Sequence, residues 1–258
     1  TSDDRVGLVA NLIVGKGATR LGALLENLQL NTTLLPAIAA ADVFVGHPCV
    51  VGKSMLLRRQ ALQAIGGLYS LAPYLAEDYL MGRWIRETGY RVVMSSYLVA
   101  THNANWSLAR FWQRHLRWNQ LRRRVSPGIY ALEPLMNPAP LWLLVATLAD
   151  ASPWRWGALA AIAVRLTLDA ALLARLEGRP ARGAELLLML PKDLLQLVMW
   201  AVAWGASTVR WRGQRFRLGA MTRLHPLSAR RSTASVSPGA ATVGWASQVR
   251  RVSERRAA

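Results

Sequence analysis

The side chains best suited to chemistry lie in residues 114–118, which fit the pattern Arg-x-x-Arg-Trp. On a helix, Arg114, Arg117 and Trp118 are three and four residues apart, so their side chains share one face. Two guanidinium groups can stabilise the negative charge of a departing diphosphate, and an indole can wall a sugar or acceptor site. The segment therefore predicts a diphosphate- or acceptor-binding face.

The same helix also supports an interpretation without chemistry. Arg110, Arg114, Arg117 and Arg124 keep helical spacing, which is typical of a basic amphipathic helix lying on anionic lipid headgroups. The two interpretations are compatible, because an enzyme that works at a bilayer surface needs both kinds of contact.

An acidic pair, Glu77 and Asp78, precedes this helix along the chain. A positioned carboxylate can take the proton of an attacking hydroxyl, so Asp78 is the candidate general base and Glu77 a candidate neighbour in the site. The alternative is that both acids only favour the first turn of a helix through its dipole.

His47 and Cys49 are further candidate neighbours of an active site. Cys49 is the only cysteine, so it forms no internal disulfide, and a lone His or Cys is more often structural than catalytic. The following Gly52-Lys53-Ser54 resembles the end of a phosphate-binding loop. The glycine required five residues earlier is His47, so we reject that interpretation.

The composition is strongly basic and apolar, with a formal net charge of +18 and 52% hydrophobic residues. A basic chain binds nucleic acid, anionic lipid or phosphorylated small molecules. The arginines flank apolar stretches instead of running through a soluble fold, which favours a membrane surface and argues against nucleic acid.

Strand-like and helix-like segments alternate in the first half of the chain, which predicts an α/β layered domain. The predicted strands are residues 6–14, 50–57 and 91–100, and the predicted helices are 59–65, 77–88 and 108–123, with a further helix face at Leu21, Leu24, Leu25 and Leu28. Gly66-Gly67 and Gly89 are expected to end two of these helices, and Ser107 to cap a third.

Three apolar stretches follow, at residues 136–149, 156–176 and 186–206. A membrane span needs about 20 apolar residues, so the first stretch is short. The second carries Arg165 and Asp169, which are spaced to neutralise each other, and the third is broken by Pro191-Lys192-Asp193. We predict two or three membrane helices, one of them re-entrant or interfacial. The alternative is a buried helical core.

These patterns divide the chain into four parts. Residues 1–130 are the expected catalytic part, 131–206 the membrane helices, 207–224 a basic juxtamembrane strand centred on 209–217, and 225–258 a disordered tail rich in Ser, Ala, Arg and Gly.

Six runs of sequence, taken together, resemble the ceramide glucosyltransferase family and its bacterial hopanoid-associated relatives. They are VGLV (6–9), CVVGKSMLLRR (49–59), GGL (66–68), YLAEDY (74–79), GYRV (89–92) and RHLRW (114–118). The resemblance implies a partial GT-A, Rossmann-like domain followed by membrane helices. It also implies transfer of a sugar from a UDP-sugar to a membrane lipid hydroxyl, with inversion.

The same resemblance assigns roles to particular residues. Asp78 corresponds to the family's base, and Arg114, Arg117 and Trp118 correspond to its Arg-x-x-Arg-Trp motif. Cys49 and, less closely, His47 correspond to residues near the active site. The implied location is a bacterial inner membrane, with several spans and the catalytic part in the cytoplasm.

The departures from the family are at the start of the chain. The family's first two acidic motifs, which bind the uridine and the metal, have no counterpart before Val6, and neither has its N-terminal anchor. We therefore expect a fragment or truncated product that is inactive by itself. Mg or Mn is implied by the resemblance only, without a ligand in this chain.

Three alternatives stay open. One is a hopanoid-lipid N-acetylglucosaminyltransferase in place of a ceramide glucosyltransferase. Another is a processive polysaccharide synthase, although such enzymes have Gln where this chain has Arg114. The third is a basic membrane-surface protein without enzymatic activity, which would explain the charge but not the order of the motifs.

Overall fold

The structure is a computed structural model, and it describes residues 3–150 and 152–227. Most of the predicted disordered tail, residues 228–258, lies outside the described residues. The boundary predicted at residue 225 is wrong, because a strand, Leu224–Pro226, runs across it.

A three-stranded sheet forms the first layer. Its central strand β1 (Val6–Lys16) pairs antiparallel with β2 (Met55–Leu57) and parallel with β3 (Arg91–His102). The predicted strands at 6–14 and 91–100 are confirmed. The strand predicted at 50–57 is wrong for its first half, because Gly52 gives its N–H to a side chain instead of to a neighbouring strand.

Helices cover this sheet. A long helix consists of α1 (Leu21–Gln29), a π-helical turn at Leu30–Leu34, and α2 (Leu35–Val45). Two shorter helices follow, α3 (Arg59–Ala64) and α4 (Glu77–Glu87). Buried apolar side chains of β1, α3 and α4 form one core with the sheet, among them Leu8, Ala61, Leu80 and Ile85.

The second half of the described chain is mostly helical. Its helices are α5 (Leu108–Val125), α6 (Pro127–Met136), α7 (Ala139–Leu148), α8 (Pro153–Glu177) and α9 (Gly183–Gly205). Together with the sheet layer, they confirm the predicted class, an α/β unit followed by apolar helices.

Three helices of the described residues are long and apolar enough to cross a membrane. They are Leu21–Val45, Pro153–Glu177 and Gly183–Gly205. The last two correspond to the second and third predicted stretches, and the first predicted stretch forms the shorter apolar helix α7. The first of the three was not predicted from the sequence, in which only one leucine face was recognised at its beginning.

Charged residues in the middle of α8 and of α9 form ion pairs. Arg165 Nε lies 3.0 Å from both carboxylate oxygens of Asp169, as the spacing predicted. Lys192, which is fully buried, donates to Asp193 and to the Thr33 hydroxyl. Pairs of this kind lower the cost of placing charge in an apolar environment. Both helices run continuously through these residues.

A second sheet closes the described chain. It contains β4 (Thr208–Trp211), β5 (Gln214–Leu218) and β6 (Leu224–Pro226), all antiparallel. The single strand predicted at 209–217 is wrong, because Arg212 and Gly213 both have positive φ and reverse the chain in a two-residue turn.

Candidate active site

Asp78 is the second residue of α4, and its carboxylate is held from two sides. Oδ2 accepts the Gly52 N–H at 2.8 Å, and Oδ1 accepts the Tyr79 N–H at 2.7 Å. Partial burial raises the pKa of Asp78 above its usual value, and these hydrogen bonds oppose the rise. The arrangement fixes the orientation of an oxygen that can accept a proton.

Gly52 lies so close to Asp78 that the loop tolerates no side chain at this position without movement. A Cβ added to Gly52 would be 3.0 Å from Asp78 Cβ and 3.1 Å from its Oδ2. The absence of a side chain at position 52 therefore lets the loop approach the carboxylate this closely.

Replacing Gly52 by Ala is expected to lower any transfer reaction that uses Asp78 as its base roughly 100-fold, with little change in unfolding temperature, because small displacements of a reacting group are costly. The measurement is the initial rate of transfer beside a thermal unfolding curve. Gly128→Ala is the matched control, since a Cβ there meets nothing within 4 Å. An unchanged rate for Gly52→Ala would show that the position of Asp78 does not matter.

Helix α5 brings the Arg-x-x-Arg-Trp face to the same region. Ser107 caps the helix as predicted, since its hydroxyl accepts the Arg110 N–H. The side chains of Phe111, His115 and Asn119 are buried, and they fix the rotation of α5 about its axis.

Arg114 is enclosed by two indole rings. Its guanidinium carbon lies 4.3 Å from the centre of the Trp118 ring and 5.0 Å from that of Trp106. Its side chain is only 17% exposed, so Arg114 does not lie on the open surface that a headgroup-binding helix would present. Contacts of this kind with aromatic rings leave guanidinium N–H groups for hydrogen bonds.

A buried acid on α1, Glu26, supports this helix, and the sequence analysis missed it. Glu26 is fully buried, with Oε1 3.3 Å from Arg114 Nε and Oε2 2.7 Å from His115 Nε2. Burial lowers the pKa of His115, so its neutral ring donates Nε2–H to the carboxylate. The feature of the sequence that could have indicated its role is that Glu26 is the single charged residue among the leucines of α1.

Arg117 faces the second sheet. Its guanidinium carbon lies 5.0 Å from the centre of the Trp211 ring, and it interacts electrostatically with Glu77. Burial and the neighbouring Asp78 raise the pKa of Glu77, whereas Arg117 and Arg212 lower it. Residues of the β4–β5 turn therefore border the acidic pair, which the sequence analysis did not anticipate.

The second sheet also holds the segment that leads into Asp78. Thr222 accepts the Ala76 N–H through its hydroxyl and the Leu75 N–H through its carbonyl, at 3.0 and 3.2 Å. Leu75 packs with Val209 and Leu218 of the sheet in one cluster. The segment predicted as a juxtamembrane strand is thus part of the support for the candidate base.

Cys49 and His47 lie in different surroundings. Cys49 interacts electrostatically with Asp78, and burial together with this negative charge raises the pKa of its thiol. His47 instead contacts Arg86, with Nδ1 3.2 Å from Nη1, towards the end of α4 opposite to Asp78. The structure therefore brings Cys49 towards the base and gives His47 a partner elsewhere.

The described residues offer no obvious metal site. Within residues 3–150 and 152–227, no group of three or more His, Cys, Asp or Glu side chains is arranged to hold an ion. The Mg or Mn that the resemblance implies stays an expectation, and none of these residues is assigned as its ligand.

Comparisons with known proteins identify the family. The family model described as Glycosyl transferase family 21 matches residues 1–224. Ceramide glucosyltransferase 3 of Caenorhabditis elegans is 35% identical over 145 residues, which are 56% of this chain and 31% of the relative. Ceramide glucosyltransferase 1 of the same organism is 29% identical over 103 residues, 40% of this chain and 22% of the relative. The matched part of the chain thus spans less than a third of either relative.

Proposed function

Because the chain belongs to glycosyl transferase family 21, we propose that it supplies the acceptor side of a membrane glycosyltransferase that moves a sugar onto a lipid hydroxyl. The observation that carries this proposal is the convergence of an oriented carboxylate, Asp78, with the cationic face of α5. The relatives' names, which refer to glucose transfer to ceramide, support a sphingolipid acceptor.

The proposed reaction is a single displacement with inversion. Asp78 takes the proton of the lipid hydroxyl as its oxygen attacks the anomeric carbon of a UDP-sugar. The bond between that carbon and the diphosphate oxygen breaks, and its electron pair leaves with the diphosphate. Arg114 and Arg117 stabilise the charge that develops there, and Trp118 holds Arg114 in place.

The proposed setting is a lipid bilayer. The three long apolar helices support membrane insertion, and the remaining arginines would contact anionic headgroups. A bacterial inner membrane, with the catalytic part on the cytoplasmic side, stays a prediction.

The test is a transfer assay in liposomes. The chain, and a version extended by any in-frame coding sequence upstream of Thr1, are incubated with UDP-glucose or UDP-N-acetylglucosamine. Acceptors are ceramide or a hopanoid lipid, and mass spectrometry detects the product. We expect glucosylceramide from the extended version. A hopanoid product would favour that alternative, and a sugar polymer would indicate a processive synthase.

One outcome would contradict the proposal altogether. If no sugar reaches any lipid, and the chain binds duplex DNA with a steep salt dependence without partitioning into liposomes, it is a basic binding protein and not a transferase.

A further inference from the structure

Lys53 is an exposed residue that is close to both parts of the candidate site. It follows Gly52, whose N–H is bonded to Asp78. Its Nζ lies 3.3 Å from the hydroxyl of Thr101, which pairs with Gly15 where the parallel strands β1 and β3 end. Ligands of α/β sheets bind outside the carboxyl ends of such strands.

The charges around Lys53 are unbalanced. Its electrostatic neighbours are Arg114 on α5 and Glu26 on α1. Glu26 is already engaged by His115 and Arg114. Within the described residues, no carboxylate lies within ion-pair distance of the Lys53 ammonium, whereas Lys192 is paired with Asp193.

Lys53 and Arg114 repel each other, and the single carboxylate of Glu26 offsets only one of their two positive charges. Loss of solvation and the charge of Arg114 lower the pKa of Lys53 to about 8, although the charge of Glu26 opposes this shift. The hydroxyl of Thr101 accepts a hydrogen bond but neutralises no charge. An anionic ligand that reached Lys53 and Arg114 together would remove the repulsion.

We infer that Lys53 is a further binding residue for the diphosphate of the sugar donor. It acts beside Arg114 and follows Gly52, whose N–H binds Asp78. This inference rests on the proposed function. The Gly52-Lys53-Ser54 segment would then bind phosphate without forming a phosphate-binding loop. Its cation lies in a loop between α2 and β2 and not at a helix N-terminus.

The test measures binding of inorganic pyrophosphate and of UDP to the chain in phosphatidylcholine liposomes by calorimetry. Lys53→Met is expected to weaken both about 10- to 100-fold, which is the usual contribution of a charged hydrogen bond. Lys53→Arg should restore most of the affinity. Arg59→Met is the matched control, because Arg59 is exposed and forms no ion pair among the described residues.

Two results would overturn the inference. One is a wild-type chain that binds neither probe, and the other is a Lys53→Met variant that binds them as tightly as the wild type.

A phosphate of a lipid headgroup is the other anion that Lys53 and Arg114 could bind. If Lys53→Met weakens only co-sedimentation with phosphatidylserine vesicles, the ligand is a headgroup and the inference is wrong.

The transfer assay separates this inference from the proposed function. If the wild type and Lys53→Met both transfer sugar to lipid with the same KM for the donor, the inferred role of Lys53 is wrong. The proposed function would still hold. Loss of pyrophosphate binding in Lys53→Met, with no transfer by the extended wild-type version, would support the diphosphate site and contradict the function.

Discussion

Replacing Asp78 by Asn is expected to reduce glycosyl transfer by about 100- to 10,000-fold, the range in which a general base contributes. The amide of Asn accepts no proton from the lipid hydroxyl. Its oxygen still accepts one of the two N–H groups that Asp78 binds, from Gly52 and Tyr79. Its NH₂ group cannot accept the other, so about 1 kcal/mol of stability is lost while the fold persists.

The pH dependence provides a second readout for Asp78. The base works only when it is deprotonated, and burial raises the pKa of Asp78. Activity should therefore fall with decreasing pH at a higher pH than for an exposed aspartate. The measurement is kcat/KM across pH for the extended version in liposomes.

The control for Asp78→Asn is Glu87→Gln on the same helix. Glu87 forms an exposed ion pair with Arg83, whose loss costs little. We expect normal activity from this variant. Retained activity in Asp78→Asn, together with an unchanged pH profile, would reject Asp78 as the base.

Replacing Glu26 by Ala is expected to lower the free energy of unfolding by about 3–5 kcal/mol, the usual cost of leaving a buried charge without its partner. Glu26 is fully buried and is within ion-pair distance of both Arg114 and His115. Its removal leaves the Arg114 guanidinium and the His115 Nε2–H without the carboxylate. The contact between α1 and α5 would loosen as a result.

The measurement is chemical unfolding of the chain in detergent, followed by circular dichroism. Glu26→Gln should cost less, because the amide oxygen can still accept from His115 while the charge facing Arg114 is lost. Asp42→Ala is the matched control, since Asp42 lies on the same long helix and forms no ion pair among the described residues. If Glu26→Ala is as stable as Asp42→Ala, the buried carboxylate does not hold the two helices together.

Local rules of sequence predicted the elements that carry the recognised motifs. Ser107 caps α5, and Gly89, with a φ of +89, ends the helix that begins at Glu77, because caps and breakers act within a few residues. The same rules failed at Gly52, where the backbone N–H bonds to a side chain from another part of the chain.

The residues that support the site were not predictable in this way. Glu26 and His115 are 89 positions apart, and Thr222 and Ala76 are 146 apart. Neither pair leaves a periodic or spacing signal, because contacts at such separations depend on how the elements pack. The basic and aromatic composition of 209–217 was visible, but its turn at Arg212-Gly213 and its place beside Glu77 were not.

By itself, the sequence determined the kinds of side chain that act and the short elements on which they lie. Asp78 begins a helix and Arg114, Arg117 and Trp118 share a face because helical geometry is local. Only the tertiary structure decided what each group meets. It placed Glu26 against Arg114 and brought Lys53 close to the same arginine. It also placed the second sheet against the segment before Asp78. The charge and orientation of a reactive group depend on its neighbours in space, and packing of distant segments sets those neighbours.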